Sequence, residues 1–100
     1  MFIELQGGYS LQVTFHHNFR DKHPYSEVLI SQWKLVVDDP TQEYLVVTRA
    51  KAHVHPKDAP CRYIGRKIAL ARALHETGFD KTTRTQVWHQ LMHKHKVRFF

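Results

Sequence analysis

Basic and imidazole side chains are the residues of this 100-residue chain best suited to chemistry. Fifteen Lys and Arg outnumber nine Asp and Glu, and nine histidines accompany them, so the net charge is +6 with histidine neutral. Guanidinium groups spaced along one element suit contact with phosphates or carboxylates. The predicted binding residues lie on a strand, a first helix and a second helix: Arg49, Lys51, His53, Arg62, Arg66, Lys67, Arg72 and Arg84.

Histidine pairs raise the question of a metal site. Those with chelating spacing are His16-His17, His53-x-His55, His89-x-x-x-His93 and His93-x-His95. Gln90 stands where the metalloprotease pattern has a glutamate, and one cysteine cannot supply a thiolate finger. Surface histidines near phosphates or acids are therefore favoured, and neither a metal nor another cofactor is predicted.

Catalytic constellations are weak in this sequence. Cys61 falls near a predicted helix N-terminus, a setting that favours a reactive thiolate, but it also lies on the predicted apolar face. A buried structural cysteine is therefore favoured over a nucleophile. Asp38-Asp39 lies in a predicted turn, and Gly7-Gly8 does not make a phosphate-binding loop. We predict that the protein is not an enzyme.

Length and composition predict one domain spanning residues 1–100. One hundred residues leave no room for two cores, and an apolar fraction of 42% is ordinary for a globular chain. No apolar run reaches the roughly 20 residues of a membrane span, and the first residues lack the pattern of a signal peptide. One cysteine fits a reducing compartment, so a cytoplasmic protein without a membrane partner is predicted.

Residues 1–55 are predicted to form an antiparallel sheet of three or four strands. Leu11, Val13 and Phe15 alternate with polar residues, and a hairpin through Gly7-Gly8 would pair them with the first residues. Residues 17–26 are predicted to be a loop, and 27–37 a central strand, because both its faces are partly apolar. After a turn at 38–41, the long strand 43–55 directs Arg49, Lys51, His53 and His55 to one face.

Two helices, 58–78 and 80–96, are predicted to pack on one face of this sheet and complete an α+β fold. Asp58 suits the N-cap of the first helix, Pro60 its first turn and Gly78 its C-cap. The face predicted to cover the sheet comprises Cys61, Ile64, Ile68, Ala71 and His75, widened by Leu70 and Leu74. In the second helix, Thr83–Gln86 fits a capping box with Asp80 as a rival N-cap, and its apolar face is Val87, Trp88, Leu91 and Met92.

A strip of small residues, Gly65, Ala69 and Ala73, lies on the other side of the first helix. Two interpretations compete. The strip could pack against the second helix, leaving the arginines as solvated edges. Alternatively, it could form a shallow basic groove bordered by Arg62, Arg66 and Arg72, where a phosphate backbone or a partner lies close.

The motif Tyr63-Ile-Gly-Arg-Lys-Ile-Ala-Leu-Ala-Arg-Ala-Leu74 resembles small uncharacterised proteins of bacteriophages and prophages. In that family a strand runs into a Cys-Ser-x-x-Asp turn and then a Gly-Arg-x-x-Ala-Leu-x-Arg-Ala-Leu helix. Thr83–Trp88 resembles a later arginine and Ile/Val-Trp segment, while His55-Pro56 departs from the usual Cys-Ser. The resemblance implies a phage or mobile-element origin and no established activity.

Charge and resemblance together favour a phage accessory protein in the host cytoplasm. The leading hypothesis is binding of nucleic acid, or of a nucleic-acid–protein complex, through the basic strand and helix. The alternative is a protein-binding inhibitor of a host or antiviral-defence factor, such as a polymerase, a nuclease or a CRISPR complex. No pattern indicates an oligomeric state.

Overall fold

A computed structural model gives the structure of the protein. It describes residues 1–5, 9–20, 22–36, 39–54 and 61–99, and their side chains except within 34–44. Strands β1 (Phe2–Leu5), β2 (Tyr9–Asn18), β3 (Tyr25–Val36) and β4 (Asp39–His53) form an antiparallel sheet in chain order. Helices α1 (Arg62–Glu76) and α2 (Lys81–His89) follow, and α2 continues as a π-helical segment, Gln90–Lys94. The predicted α+β fold is confirmed.

The strands are longer than the sequence predicted. His17 pairs with Ser26 and Asn18 with Tyr25, so the predicted loop 17–26 is wrong at both ends. Cross-strand hydrogen bonding outweighs the polar composition there, because one face of each strand end meets solvent. The turn predicted over 38–41 is also wrong from Asp39 onward, since β4 begins at that residue. Pro40 is accommodated because β4 is an edge strand.

Both helices begin later than predicted. Cys61 occupies the N-cap position of α1 with extended backbone, and Asp58 and Pro60 lie outside the described residues. At the other end Thr77 is the C-cap and Gly78 follows with φ +76°, a conformation that glycine adopts without strain. Asp80 is the N-cap of α2, because its carboxylate accepts a 2.8 Å hydrogen bond from the Thr83 backbone N–H. The capping box predicted at Thr83–Gln86 is therefore wrong.

The core lies between the sheet and the two helices. Along each strand, residues whose side chains point into the core alternate with residues that point to the open face, as expected for a sheet covered on one side. The buried apolar residues of the sheet are Ile3, Leu11, Val13, Val28, Ile30, Ala50 and Ala52. Those of the helices and the following segment are Ala69, Leu70, Ala73, Leu74, Val87, Leu91 and Phe99.

The face of α1 that packs on the sheet is the one with the small residues. Ala69 and Ala73 are fully buried, and Gly65 lies against Ser26 of β3. Ile64 and Ile68, predicted to cover the sheet, are 55% and 40% exposed. Both sequence interpretations of the small strip are thus wrong, because the strip is buried against the sheet, where it neither packs on the second helix nor forms an open groove. Small side chains let the helix backbone approach the sheet closely, and Leu70 and Leu74 fill the space beside it.

The segment after α2 is docked rather than frayed. The chain turns at Lys96, whose φ is +58°, and returns Phe99 to the core, where it is 2% exposed. The Phe99 ring meets the Phe15 and Trp88 rings edge to face, with centroids 6.1 Å and 4.9 Å away. Two hydrogen bonds tie the end of α2 to β1. Gln90 Nε2 donates to the Glu4 carbonyl at 3.1 Å, and His95 Nε2 lies 2.9 Å from the Phe2 carbonyl oxygen.

Candidate nucleic-acid interface

The open face of the sheet, opposite the helices, carries the predicted basic strand residues. Ala50 and Ala52 are buried beneath α1, so the alternating Arg49, Lys51 and His53 point outward and are exposed. His55, the last residue of the predicted stripe, lies outside the described residues. The alternation predicted from the sequence is confirmed from Arg49 to His53.

Tyr25 is at the centre of an aromatic group on this open face. Its ring centroid lies 6.4 Å from that of His16 on β2 and 6.0 Å from that of His53 on β4. Lys51 Nζ lies 4.5 Å from the Tyr25 ring centroid, within cation–π range. Strands β2, β3 and β4 therefore bring aromatic rings and a cation together at the end of the sheet where β2 stops and β3 begins.

Glu27 is the acidic residue beside these cations. Its carboxylate lies 3.8 Å from Arg49 Nε and 3.9 Å from Lys51 Nζ. The Glu27 side chain is 18% exposed, whereas Arg49 and Lys51 are 64% and 45% exposed. Ion pairs this open to solvent are worth about 0–1 kcal/mol. Both cations can therefore turn toward an anionic ligand at little cost.

Arg72 joins α1 to the edge of the sheet. Its Nη1 donates a 2.9 Å hydrogen bond to the Lys51 carbonyl, which covers one backbone acceptor of edge strand β4. An open groove of about 520 Å³ lies between the two elements, lined by Arg49, Lys51, Arg72 and His75 among others. The structure thus brings the predicted strand and helix residues Arg49, Lys51 and Arg72 to one surface.

Arg62 and Arg66 lie on the helix-covered side of the sheet, near the end of β2. There the His17 Nδ1 and Ser26 Oγ are 2.7 Å apart, and Ser26 is 1% exposed. Partial burial and the nearby charges of Arg66, Arg62 and His16 lower the pKa of His17 below its usual value. The Arg66 Nε is buried without a hydrogen-bond partner.

The Tyr63 ring of α1 is contacted by two guanidinium groups. The Cζ of Arg66 lies 5.4 Å from its centroid and that of Arg98 lies 5.0 Å away. Arg98 Nη1 also lies 3.5 Å from the Tyr63 hydroxyl. We call Arg62, Arg66 and Arg98, together with His17, the arginine cluster. The sequence alone does not indicate that His17, Tyr25, Tyr63 and Arg98 belong to these sites, because only tertiary packing brings their elements together.

Lys67 and Arg84 are not part of either group. Lys67 lies on the outer side of α1, beside a cavity of about 220 Å³ that it lines with Trp88, Met92 and Phe99. Arg84 belongs to α2, whose first turn lines a cavity with Leu5, Tyr9 and Val46 at the opposite end of the sheet. These two predicted residues are therefore separated from the surface that contains Arg49, Lys51 and Arg72.

The histidines do not assemble into a metal centre within the described part of the chain. No group of three or more His, Cys, Asp or Glu there could hold a metal ion. His89 and His93 do come together, with ring centroids 4.5 Å apart, but they form only a pair. Cys61 is half-buried rather than buried as predicted, because it precedes the helix instead of lying on its apolar face.

No protein-family model, curated protein or solved structure matches this chain. The resemblance to small bacteriophage proteins stays a prediction. Among the described residues, neither helix is long and apolar enough to cross a membrane.

Proposed function

We propose that the protein binds nucleic acid through the open face of the sheet and the adjoining edge of β4. The observation that carries this proposal is the convergence of Arg49, Lys51, His53 and Arg72 around one groove and one aromatic group. Cations neutralise phosphates, and exposed rings accept bases by stacking. In this proposal the protein is a phage accessory factor, not an enzyme, that acts in the host cytoplasm on nucleic acid or on a complex containing it.

Backbone contact is the recognition mode that these residues favour. Arg49 and Lys51 lie on a strand with exposed side chains, which suits phosphates better than the fixed geometry needed to read base edges. Binding of this kind weakens steeply as salt rises, because condensed cations are released from the nucleic acid. Each phosphate contact contributes roughly one unit to the slope of log K against log salt.

Fluorescence anisotropy with labelled single-stranded and duplex oligonucleotides, measured over a series of salt concentrations, tests this function. The double variant Arg49→Gln, Lys51→Gln should bind about tenfold or more weakly and reduce the salt slope by roughly 2. The matched control is Lys81→Gln, Lys94→Gln, which removes the same charge from exposed positions on or beside α2. Equal losses in the two double variants, or no binding by the unaltered protein at low salt, would contradict the proposal.

A protein partner is the second candidate, favoured by exposed apolar side chains. Ile64 and Ile68 protrude from α1, while Leu45 and Val47 are 55% and 52% exposed on edge strand β4. Exposed apolar residues are typical of protein contact surfaces, so in this second proposal the protein is an inhibitor of a host or antiviral-defence factor. Affinity capture from nuclease-treated host lysate separates the two functions. A stoichiometric protein partner lost in Ile64→Asp, Ile68→Asp supports inhibition, whereas loss of every partner on nuclease treatment supports nucleic-acid binding.

A further inference from the structure

We propose that the arginine cluster is a binding site for a single phosphate group, separate from the open face of the sheet. The site lies between the first turns of α1, the end of β2 and the segment after α2. Arg66 is the central binding residue of the site, Arg62 and Arg98 supply further positive charge, and His17 lies at its border. This proposal does not depend on the nucleic-acid function, since the ligand can be a free phosphate compound as well as a strand terminus.

The buried Nε of Arg66 is the first observation that indicates a missing acceptor. A guanidinium N–H loses its water when it is buried, and it is stabilised only if another acceptor replaces that water. The Arg66 Nε has no acceptor, although the same side chain packs on the Tyr63 ring. A phosphate oxygen satisfies such a donor, and a second oxygen can accept from a terminal guanidinium nitrogen in the same plane.

The charge balance is the second observation. Within the described part of the chain, the ion pairs of Glu27 are with Arg49 and Lys51, and neither Arg62, Arg66 nor Arg98 contacts a carboxylate. The contacts of Arg66 and Arg98 are instead with the Tyr63 ring and hydroxyl. Neighbouring guanidinium groups that no carboxylate of the described residues contacts repel one another, and an anion relieves that repulsion.

His17 is held at the edge of this region by a buried partner. Its Nδ1 lies 2.7 Å from Ser26 Oγ, and its ring packs on the Phe19 ring with centroids 5.4 Å apart. The lowered pKa of His17 reflects the proximity of Arg66 and Arg62, after burial. The imidazole is therefore positioned to respond to any anion that neutralises those two side chains.

A phosphate group fits the cluster better than a carboxylate does. A phosphate monoester carries about −1.5 to −2 charge at neutral pH and presents three acceptor oxygens, so one ligand can engage several guanidinium groups at once. A carboxylate brings one charge and two oxygens. The ligand can be inorganic phosphate, a nucleotide or the terminal phosphate of a nucleic-acid strand.

Titration of the purified protein with inorganic phosphate tests the site, with sodium chloride at matched ionic strength as the reference. NMR of the His17 ring should show saturable shifts and a raised His17 pKa with phosphate but not with chloride. Arg66→Gln should weaken phosphate binding about tenfold. Arg62→Gln, at an exposed position, should weaken it by a similar factor. Arg84→Gln, which removes the same charge from α2, should leave the affinity unchanged.

Oligonucleotides with and without a 5′-phosphate distinguish the sources of the ligand. If the protein prefers oligonucleotides with a 5′-phosphate and Arg66→Gln abolishes that preference, the site binds strand ends. If inorganic phosphate binds saturably but a 5′-phosphate gives no preference, the site binds small phosphate compounds. If phosphate acts no differently from chloride and a 5′-phosphate gives no preference, the proposal is overturned. The same holds if Arg66→Gln and Arg62→Gln, shown folded by circular dichroism, bind phosphate as tightly as the unaltered protein. Neither result bears on binding at the Arg49–Lys51 face.

Discussion

Gly65 of α1 lies so close to Ser26 of β3 that a Cβ at position 65 would be 2.7 Å from the Ser26 Cβ and still closer to its hydroxyl. Real Cβ atoms do not approach other atoms so closely. The contact fixes the height of the helix above the sheet and places Arg66, the next residue, beside the end of β2. A backbone position without a side chain thus determines where the arginine cluster forms.

Replacing Gly65 with alanine should destabilise the protein by about 1–3 kcal/mol, because the added methyl group overpacks the contact with Ser26. Alanine ordinarily favours a helix over glycine by about 1 kcal/mol, so the expected sign is opposite to helix propensity. Urea unfolding followed by circular dichroism measures the change. Adding Ser26→Gly should recover part of the loss.

Ala71, exposed on the outer side of the same helix, is the control position for this prediction. Ala71→Gly should cost about 1 kcal/mol through propensity alone. If Gly65→Ala instead stabilises the protein, the close contact between α1 and β3 is wrong.

Phe99 should contribute strongly to stability, although it lies near the end of the chain. Phe99→Ala removes a buried ring that packs on Phe15 and Trp88, and it should cost about 3–5 kcal/mol. Phe2, which is 63% exposed, is the matched control, and Phe2→Ala should change the free energy of unfolding much less. Equal effects of the two substitutions would contradict the docking of this segment.

Acidification should destabilise the protein through His17. Burial and the neighbouring arginines lower its pKa in the folded state, so the unfolded chain binds a proton more readily than the folded chain. The contribution is present above the unfolded pKa near 6.5 and is lost as pH falls through the folded value. Melting temperatures between pH 7 and pH 5 should fall, and His17→Gln should make that fall shallower. A slope unchanged in His17→Gln would show that other groups cause it.

Tyr25 should favour single strands over duplex in nucleic-acid binding. A single strand can stack a base on the half-buried Tyr25 ring, whereas a duplex keeps its bases paired, and stacking is worth about 1–3 kcal/mol per base. Tyr25→Leu should therefore weaken single-strand binding about fivefold to more than a hundredfold and leave duplex binding nearly unchanged. Tyr25→Phe should retain the preference. Parallel losses for both substrates in Tyr25→Leu would exclude stacking.

Removing the carboxylate of Glu27 should strengthen nucleic-acid binding. Glu27→Gln frees Arg49 and Lys51 from their shared ion pairs and adds one unit of positive charge beside the groove. Affinity measured by anisotropy at low salt should rise several-fold, and the gain should shrink at high salt because of screening. Glu4→Gln, the same charge change at an exposed position on β1, is the matched control and should leave the affinity nearly unchanged. Weaker binding by Glu27→Gln would indicate that Glu27 orients the two cations productively.

Periodicity in the sequence predicted the sheet well and the packing of α1 poorly. Alternation along β4 correctly placed Arg49 and Lys51 outward, since a strand has two faces and Ala50 and Ala52 mark the buried one. On α1, larger apolar residues occupied one face, and the prediction assigned that face to the core. The sheet accepts the smaller face instead because close approach of the backbone at Gly65 replaces side-chain volume.

The predicted binding residues of α1 lie at two different surfaces for a related reason. The sequence predicted that Arg62, Arg66 and Arg72 border one strip of α1. In the structure they lie over different strands of the sheet. Arg72 reaches the β4 edge, whereas Arg66 points toward β2 and Tyr63. Partners from distant segments, such as Arg98, have no local signal in the sequence.

The hydrogen bonds between β1 and the end of α2 have a consequence for the order of folding. Strands β1 to β4 pair with their neighbours in the chain, so the meander can assemble from local hairpins. Gln90 and Glu4 are 86 positions apart, and His95 and Phe2 are 93. Closing so long a loop is favourable only after the intervening elements are in place. We therefore expect amide hydrogens of the β2–β3 hairpin to gain protection first during refolding, and the two chain ends to be secured last.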